Sequence, residues 1–214
     1  MDTLIIQSYC MGRVMETSGD IALQLKDQGK DVGYFFVNVD DPFAPMPCGI
    51  WPFHAKKSRK VKPFKKILKN FNVHVIEDAG EKTSANDIVA LLERTNFKSL
   101  EDVENFTYDS MPLGLGVLTE LVSISKDAYP DVILYKDIIK KGLLASIEAY
   151  ELCLTVLQKY NPKEIIVYNG RFAIPQAARC AAQKCNIEVR SYEFFSNPTP
   201  VSYTHLTLPT ILRV

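Results

Sequence analysis

The sequence predicts an α/β fold: a Rossmann-like parallel sheet of about five strands, with a helical insertion between strands 3 and 4. Three observations carry that reading. Short apolar, β-branched runs alternate with segments of helical period from the first residues onward. The opening strand–helix–strand unit is complete by residue 37, which suits a right-handed βαβ crossover and a parallel sheet. A long, mostly helical stretch then separates the third apolar run from the fourth.

The elements follow in order. Leu4-Ile5-Ile6 marks a first buried strand over 3–7, and a loop from Gln7 to Arg13 follows it. A helix from Glu16 ends near Gly29, a C-cap after Lys26. Val32–Val37, rich in aromatic and β-branched residues, is the second strand. Pro42, Pro45, Pro47 and Pro52 forbid regular structure over Asp40–Phe53. The third strand spans 73–76, and a helix covers Ser84–Arg94. Leu113–Ser125 and Asp131–Tyr160 are helical, the second with an apolar seam from Ile139 to Leu157 that Asn161-Pro162 stops. Glu164–Tyr168 is the clearest strand, and Phe172–Lys184 is a helix with Pro175 in its first turn. The last strand spans 188–191 and leads to Tyr192-Glu193.

Composition narrows the function classes. The 214 residues carry 25 basic and 25 acidic side chains, so no general attraction to nucleic acid or acidic membranes is expected. A hydrophobic fraction of 47% and a charged fraction of 23% fit one ordinary globular core. No run of about 18 apolar residues is present, which excludes a membrane-spanning helix. Met1–Ile6 lacks the basic start and apolar length of a signal peptide, so the chain is expected in the cytosol. Five cysteines without a C-x-x-C pair, and three scattered histidines, offer no metal site and read as reduced, packed thiols. Lys56–Lys69 holds eight basic residues and no acidic one, with Phe64, Ile67, Leu68 and Phe71 at helical spacing. It reads as a solvated helix face; peripheral contact with phosphate-bearing lipid at the inner face of the membrane is the alternative.

Ligands of open parallel sheets bind beyond the carboxyl ends of the strands. Three loops lie there by position: Gln7–Arg13, with Gly12 and Arg13; Asn169-Gly170-Arg171; and Tyr192-Glu193. Gly170 lets backbone approach a ligand, and Arg171 offers a planar fork for phosphate or carboxylate. The same turn also reads as a plain reversal with Arg171 in a surface ion pair, and spacing alone favours that. Gly114-x-Gly116 lies inside an apolar helical segment, so no dinucleotide fingerprint exists and no cofactor is expected.

Ile165–Ala173, with its strand ending in Asn169-Gly170-Arg171-Phe172, resembles a bacterial family of capsule and surface-polysaccharide biosynthesis proteins. That family is related to two-domain (GT-B) glycosyltransferases. The small-residue helix around Ala177–Ala182 and the Tyr192-Glu193 pair fit the same pattern. The resemblance implies that residues 1–200 are the N-terminal, acceptor-side domain, with the nucleotide-sugar donor gripped mainly by a second domain. It implies that Asn169 and Arg171 bind an acceptor sugar or donor phosphate, and that Glu193 orients or deprotonates an acceptor hydroxyl. A non-catalytic nucleotide- or partner-binding domain is the competing class. Val201–Leu206 resembles a one-frame translation of the transposon end used in sequencing libraries, so residues 201–214 are expected to be a non-native tail.

Overall fold

In a computed structural model describing residues 1–9, 12–43, 60–79 and 85–193, five strands form one sheet. They are β1 (Thr3–Gln7), β2 (Val32–Phe36), β3 (His74–Ile76), β4 (Glu164–Tyr168) and β5 (Glu188–Tyr192). Every pairing is parallel, in the order β3-β2-β1-β4-β5. The chain winds outward from β1 on one side and from β4 on the other, so the topological switch point lies between them. This is the Rossmann-like α/β architecture that the alternating pattern predicts.

Seven helices are described: α1 (Gly12–Asp27), α2 (Val61–Asn70), α3 (Ala85–Arg94), α4 (Leu100–Glu104), α5 (Gly114–Ser125), α6 (Lys136–Tyr160) and α7 (Ala173–Lys184). Strand alternation divides the core in two. Ile5, Tyr34, Phe36, Val75, Ile166 and Tyr192 face α1 and α2. Leu4, Ile6, Phe35, Ile76, Ile165 and Val167 face the insertion and α7, and α6 packs most extensively against α7. Cys153 and Cys180 are buried there, and burial pushes their thiols up to about 12 and about 11. They pack as apolar groups.

Several boundaries move. Helix α1 begins at Gly12, so Gly12 and Arg13 belong to its first turn and not to the loop that the sequence suggests. Gly29 closes α1 as expected, with its N–H on Lys26 O and that of Lys30 on Leu25 O. Helix α6 starts five residues after Asp131. The Asp131 carboxylate accepts the N–H groups of Ile133 and Leu134 and holds a separate turn there. Strand β5 runs one residue further, which makes Tyr192 a core residue. His74 is an exposed edge-strand residue whose ring meets Tyr160.

Candidate functional site at the strand ends

The carboxyl ends of β1 and β4 are extended by backbone bonds, Val37 N–H to Gln7 O and Asn169 N–H to Tyr192 O, each 2.9 Å. Beyond β4 the chain reverses tightly. Gly170 N–H reaches Tyr168 O at 2.8 Å, with Asn169 at φ 60° and Gly170 at φ 48°. Asparagine and glycine are the residues that accept left-handed backbone at least cost. A side chain on Gly170 would also meet Ser191 Oγ at 2.7 Å. Arg179 braces the turn, donating to Gly170 O at 2.9 Å and Gln176 Oε1 at 3.2 Å.

Buried polar side chains link α1, β2, β1 and α5 at this edge. Ser18 Oγ lies 2.5 Å from the Tyr34 hydroxyl, which donates to Gln7 Oε1 at 2.8 Å. The Gln7 amide donates to Tyr9 O. The Tyr9 hydroxyl donates to Glu120 Oε1 at 3.1 Å, and the other Glu120 oxygen accepts the Ala173 N–H at 3.0 Å. Glu120 is therefore held at the N-terminus of α7, where the helix dipole favours negative charge. Burial works the other way. Glu120 is 6% exposed, and burial followed by the nearby charge of Asp41 raises its carboxyl to about 8. Burial also pushes the Tyr9 hydroxyl well above its ordinary range, with Glu120 and Asp41 adding to it.

Two buried polar atoms at this edge have no hydrogen-bond partner among the described residues, Ser8 Oγ after β1 and Asn169 Oδ1 after β4. An orphaned acceptor in a residue only 5% exposed leaves a hydrogen bond for an incoming group to make. This edge thus offers an unfilled hydroxyl after β1 and an unfilled carbonyl after β4, and α5 supplies a carboxyl raised to about 8 at the start of α7.

The sequence-derived residues fall around it. Asn169 and Gly170 form the turn itself. Arg171 is exposed and lies over the Phe172 ring at 5.3 Å, and among the described residues it has no ion pair of the kind that a plain reversal would give it. Glu193 is half-buried beyond β5, and its charge raises the Tyr168 hydroxyl after burial while Arg171 opposes it. Gly12 and Arg13 open α1, which the Tyr192 hydroxyl joins to β5 through Val14 O at 3.2 Å. Arg13 points to solvent, and a side chain at Gly12 would meet Lys60 Nζ at 3.4 Å. Sequence reasoning missed Glu120, Asp41 and Arg179, and it held Tyr9 only as part of the Gln7–Arg13 loop. Glu120 left one signal, as the sole charged residue of α5.

A cleft of about 320 Å³ lies at the opposite, amino edge of the sheet, lined by Asp2, Lys30, Lys163, Glu164 and Glu188. Its charged side chains are already engaged: Glu164 with Lys30 and with the neighbouring Thr3 and Arg190, Lys163 with Asp2, and Glu188 with Arg190. Among the described residues no group of three or more His, Cys, Asp or Glu could hold a metal ion. No helix among them is long and apolar enough to cross a membrane.

No family model matches the chain. No curated protein matches it either. Among solved structures it is similar to a triple mutant of the deacetylase of the teicoplanin biosynthetic pathway, at 14% identity and a TM-score of 0.36. That likeness covers 90% of this chain and 64% of the deacetylase. For the same pathway's deacetylase in its bog complex the values are 12% identity, 91% and 68% coverage, and a TM-score of 0.42. For MurG of Acinetobacter baumannii they are 12%, 90%, 34% and 0.35, so this chain spans about a third of that protein.

Proposed function

We propose that the chain is the acceptor-side domain of a glycosyltransferase acting in capsular or other cell-surface polysaccharide synthesis, with the nucleotide-sugar donor held mainly by a second domain. The observation that carries the reading is the buried Glu120 carboxyl, raised to about 8 and bound to the Ala173 N–H, with the orphaned Asn169 carbonyl on the turn that leads into the same helix. The resemblance around Asn169–Ala173 supplies the substrate class.

In this reading one acceptor hydroxyl passes its proton to the Glu120 carboxylate, while a second hydroxyl of the same sugar donates to Asn169 Oδ1. The first hydroxyl's oxygen then bonds to the anomeric carbon of the donor sugar, and the bond to the nucleoside diphosphate breaks. A base acts best with a pKa near the working pH, which Glu120 has and an ordinary surface carboxylate lacks. Glu193, at the mouth beside Tyr168, orients the acceptor, and Arg171 meets its anionic or hydroxyl groups.

Calorimetric titration of the 214-residue chain tests this. Oligosaccharide acceptors are expected to bind weakly, at about millimolar Kd, and nucleotide sugars not measurably. Sugar transfer by this chain alone is expected to be absent, because transfer requires both substrates in one cleft. Binding of nucleotides without glycans would support a non-catalytic nucleotide-binding domain, and turnover would refute the division of labour between domains.

A further inference from the structure

We propose that α2 docks this domain on an anionic lipid bilayer, lying flat with its outer face against the headgroups. Val61 and Leu68 turn inward and are buried, and Phe64 follows them, its ring 5.7 Å from that of Tyr34 and 6.2 Å from that of Phe36. Residues four apart stack in rows along a helix, so the outer face reads as parallel rows. Lys62 and Lys66 form one, both exposed and without an ion pair among the described residues. Beside it run Pro63, Ile67 and Phe71, with Ile67 50% and Phe71 54% exposed. On the far flank Lys65 and Lys69 bind Glu77 at 2.5 and 2.8 Å, and these bonds hold the Glu77 carboxyl below its ordinary value. The helix itself contains no acidic residue.

An apolar row beside a row of one charge sign is what an interfacial helix presents: methyls and ring to the acyl boundary, ammonium groups to phosphates. A protein partner fits less well. The apolar row offers two large side chains, whereas a stable protein interface buries about 800 Å² on each partner. Membrane affinity needs no such area, since a small apolar contact and clustered lysines add. The whole chain is formally neutral, so the attraction is local to this face. Lys60, one residue before α2, approaches Gly12 at the sheet edge that bears the strand-end site. The inference does not depend on the sugar-transfer reading.

Co-sedimentation of the 214-residue chain with phosphatidylcholine vesicles holding about 30% phosphatidylglycerol tests it. The chain is expected to bind these vesicles, to ignore pure phosphatidylcholine, and to come off at about 0.5 M salt. Lys62→Gln with Lys66→Gln is expected to weaken binding about thirty-fold, from the charge contribution of each lysine near an anionic surface. Ile67→Ser with Phe71→Ser is expected to abolish it, and both pairs should melt like the parent because every altered side chain is exposed. Ile133→Ser with Leu134→Ser, in the exposed turn before α6, should leave binding intact. Equal binding to neutral vesicles, unchanged binding by the α2 variants, or loss only in the Ile133/Leu134 pair would overturn the proposal. So would self-association that Ile67→Ser removes in a chain that binds no vesicle.

Discussion

Gly114→Ala is expected to destabilise the domain by about 3 kcal/mol, lowering its melting temperature by roughly 6–12 °C. The first residue of α5 sits hard against the end of α4. Its N–H donates to Phe106 O at 3.0 Å, and a methyl there would fall 1.7 Å from Val103 O and 2.9 Å from Phe106 Cβ. The obstacle is backbone, fixed by the Ser99–Asp102 capping box at the other end of α4, so no side chain can swing aside. Relief requires α5 to shift as a body. Because α5 carries Glu120 to the N-terminus of α7, such a shift also loosens the site. Thermal melting decides the matter; a variant melting within about 2 °C of the parent would show that α5 and α4 are not so closely packed.

Glu120→Gln is expected to do two opposite things. It should raise stability at alkaline pH, and in the whole protein it should cut sugar transfer by about 10²–10⁴-fold. The folded carboxyl stands at about 8 against an ordinary 4.5, because burial and Asp41 disfavour its charged form. Between those values the folded state holds a proton that the unfolded state has lost. Stability contributed by this group is therefore full below about pH 4.5 and falls as pH rises towards about 8. Glutamine fits the same space, its oxygen accepting from Ala173 N–H and its amide donating to the Tyr9 hydroxyl, and it never ionises. At about pH 9 the variant should be more stable than the parent by a few kcal/mol, and near pH 4 the two should melt alike. Melting curves across this range check the sign. A parent whose stability is as flat with pH as the variant's would mean that Glu120 is ionised in the fold throughout.

The sheet was legible because each strand announces itself locally. Leu4-Ile5-Ile6 and Ile165-Ile166-Val167 are buried runs, and the Asn169-Gly170 turn follows from two residues suited to left-handed backbone. The placement of Gly170 beyond a strand end was equally local information. The carboxyl at the centre of the site was not legible. Glu120 meets Tyr9 across 111 residues and Ala173 across 53, and its raised pKa exists only once α5 has buried it. Gly114 and Gly116, which carry no dinucleotide motif, are explained instead by close packing on α4 and α7. The start of α1 at Gly12 was obscured because glycine and arginine after an aromatic loop resemble a loop end. Residues 44–59, which include most of the Pro-rich segment and the first basic residues of the Lys56–Lys69 run, lie outside the described residues, as does 201–214.

The central claim is that acceptor glycans enter between β1 and β4, at Asn169 and Glu120. Amide chemical-shift mapping of the isotopically labelled 214-residue chain, titrated with an oligosaccharide acceptor, measures this directly. The account predicts the largest shifts at Tyr9, Asn169, Gly170 and Ala173, with Asn169→Ala removing them while the fold persists. Shifts confined to Asp2, Lys30 and Lys163 at the opposite edge, or a response untouched by Asn169→Ala, would contradict it.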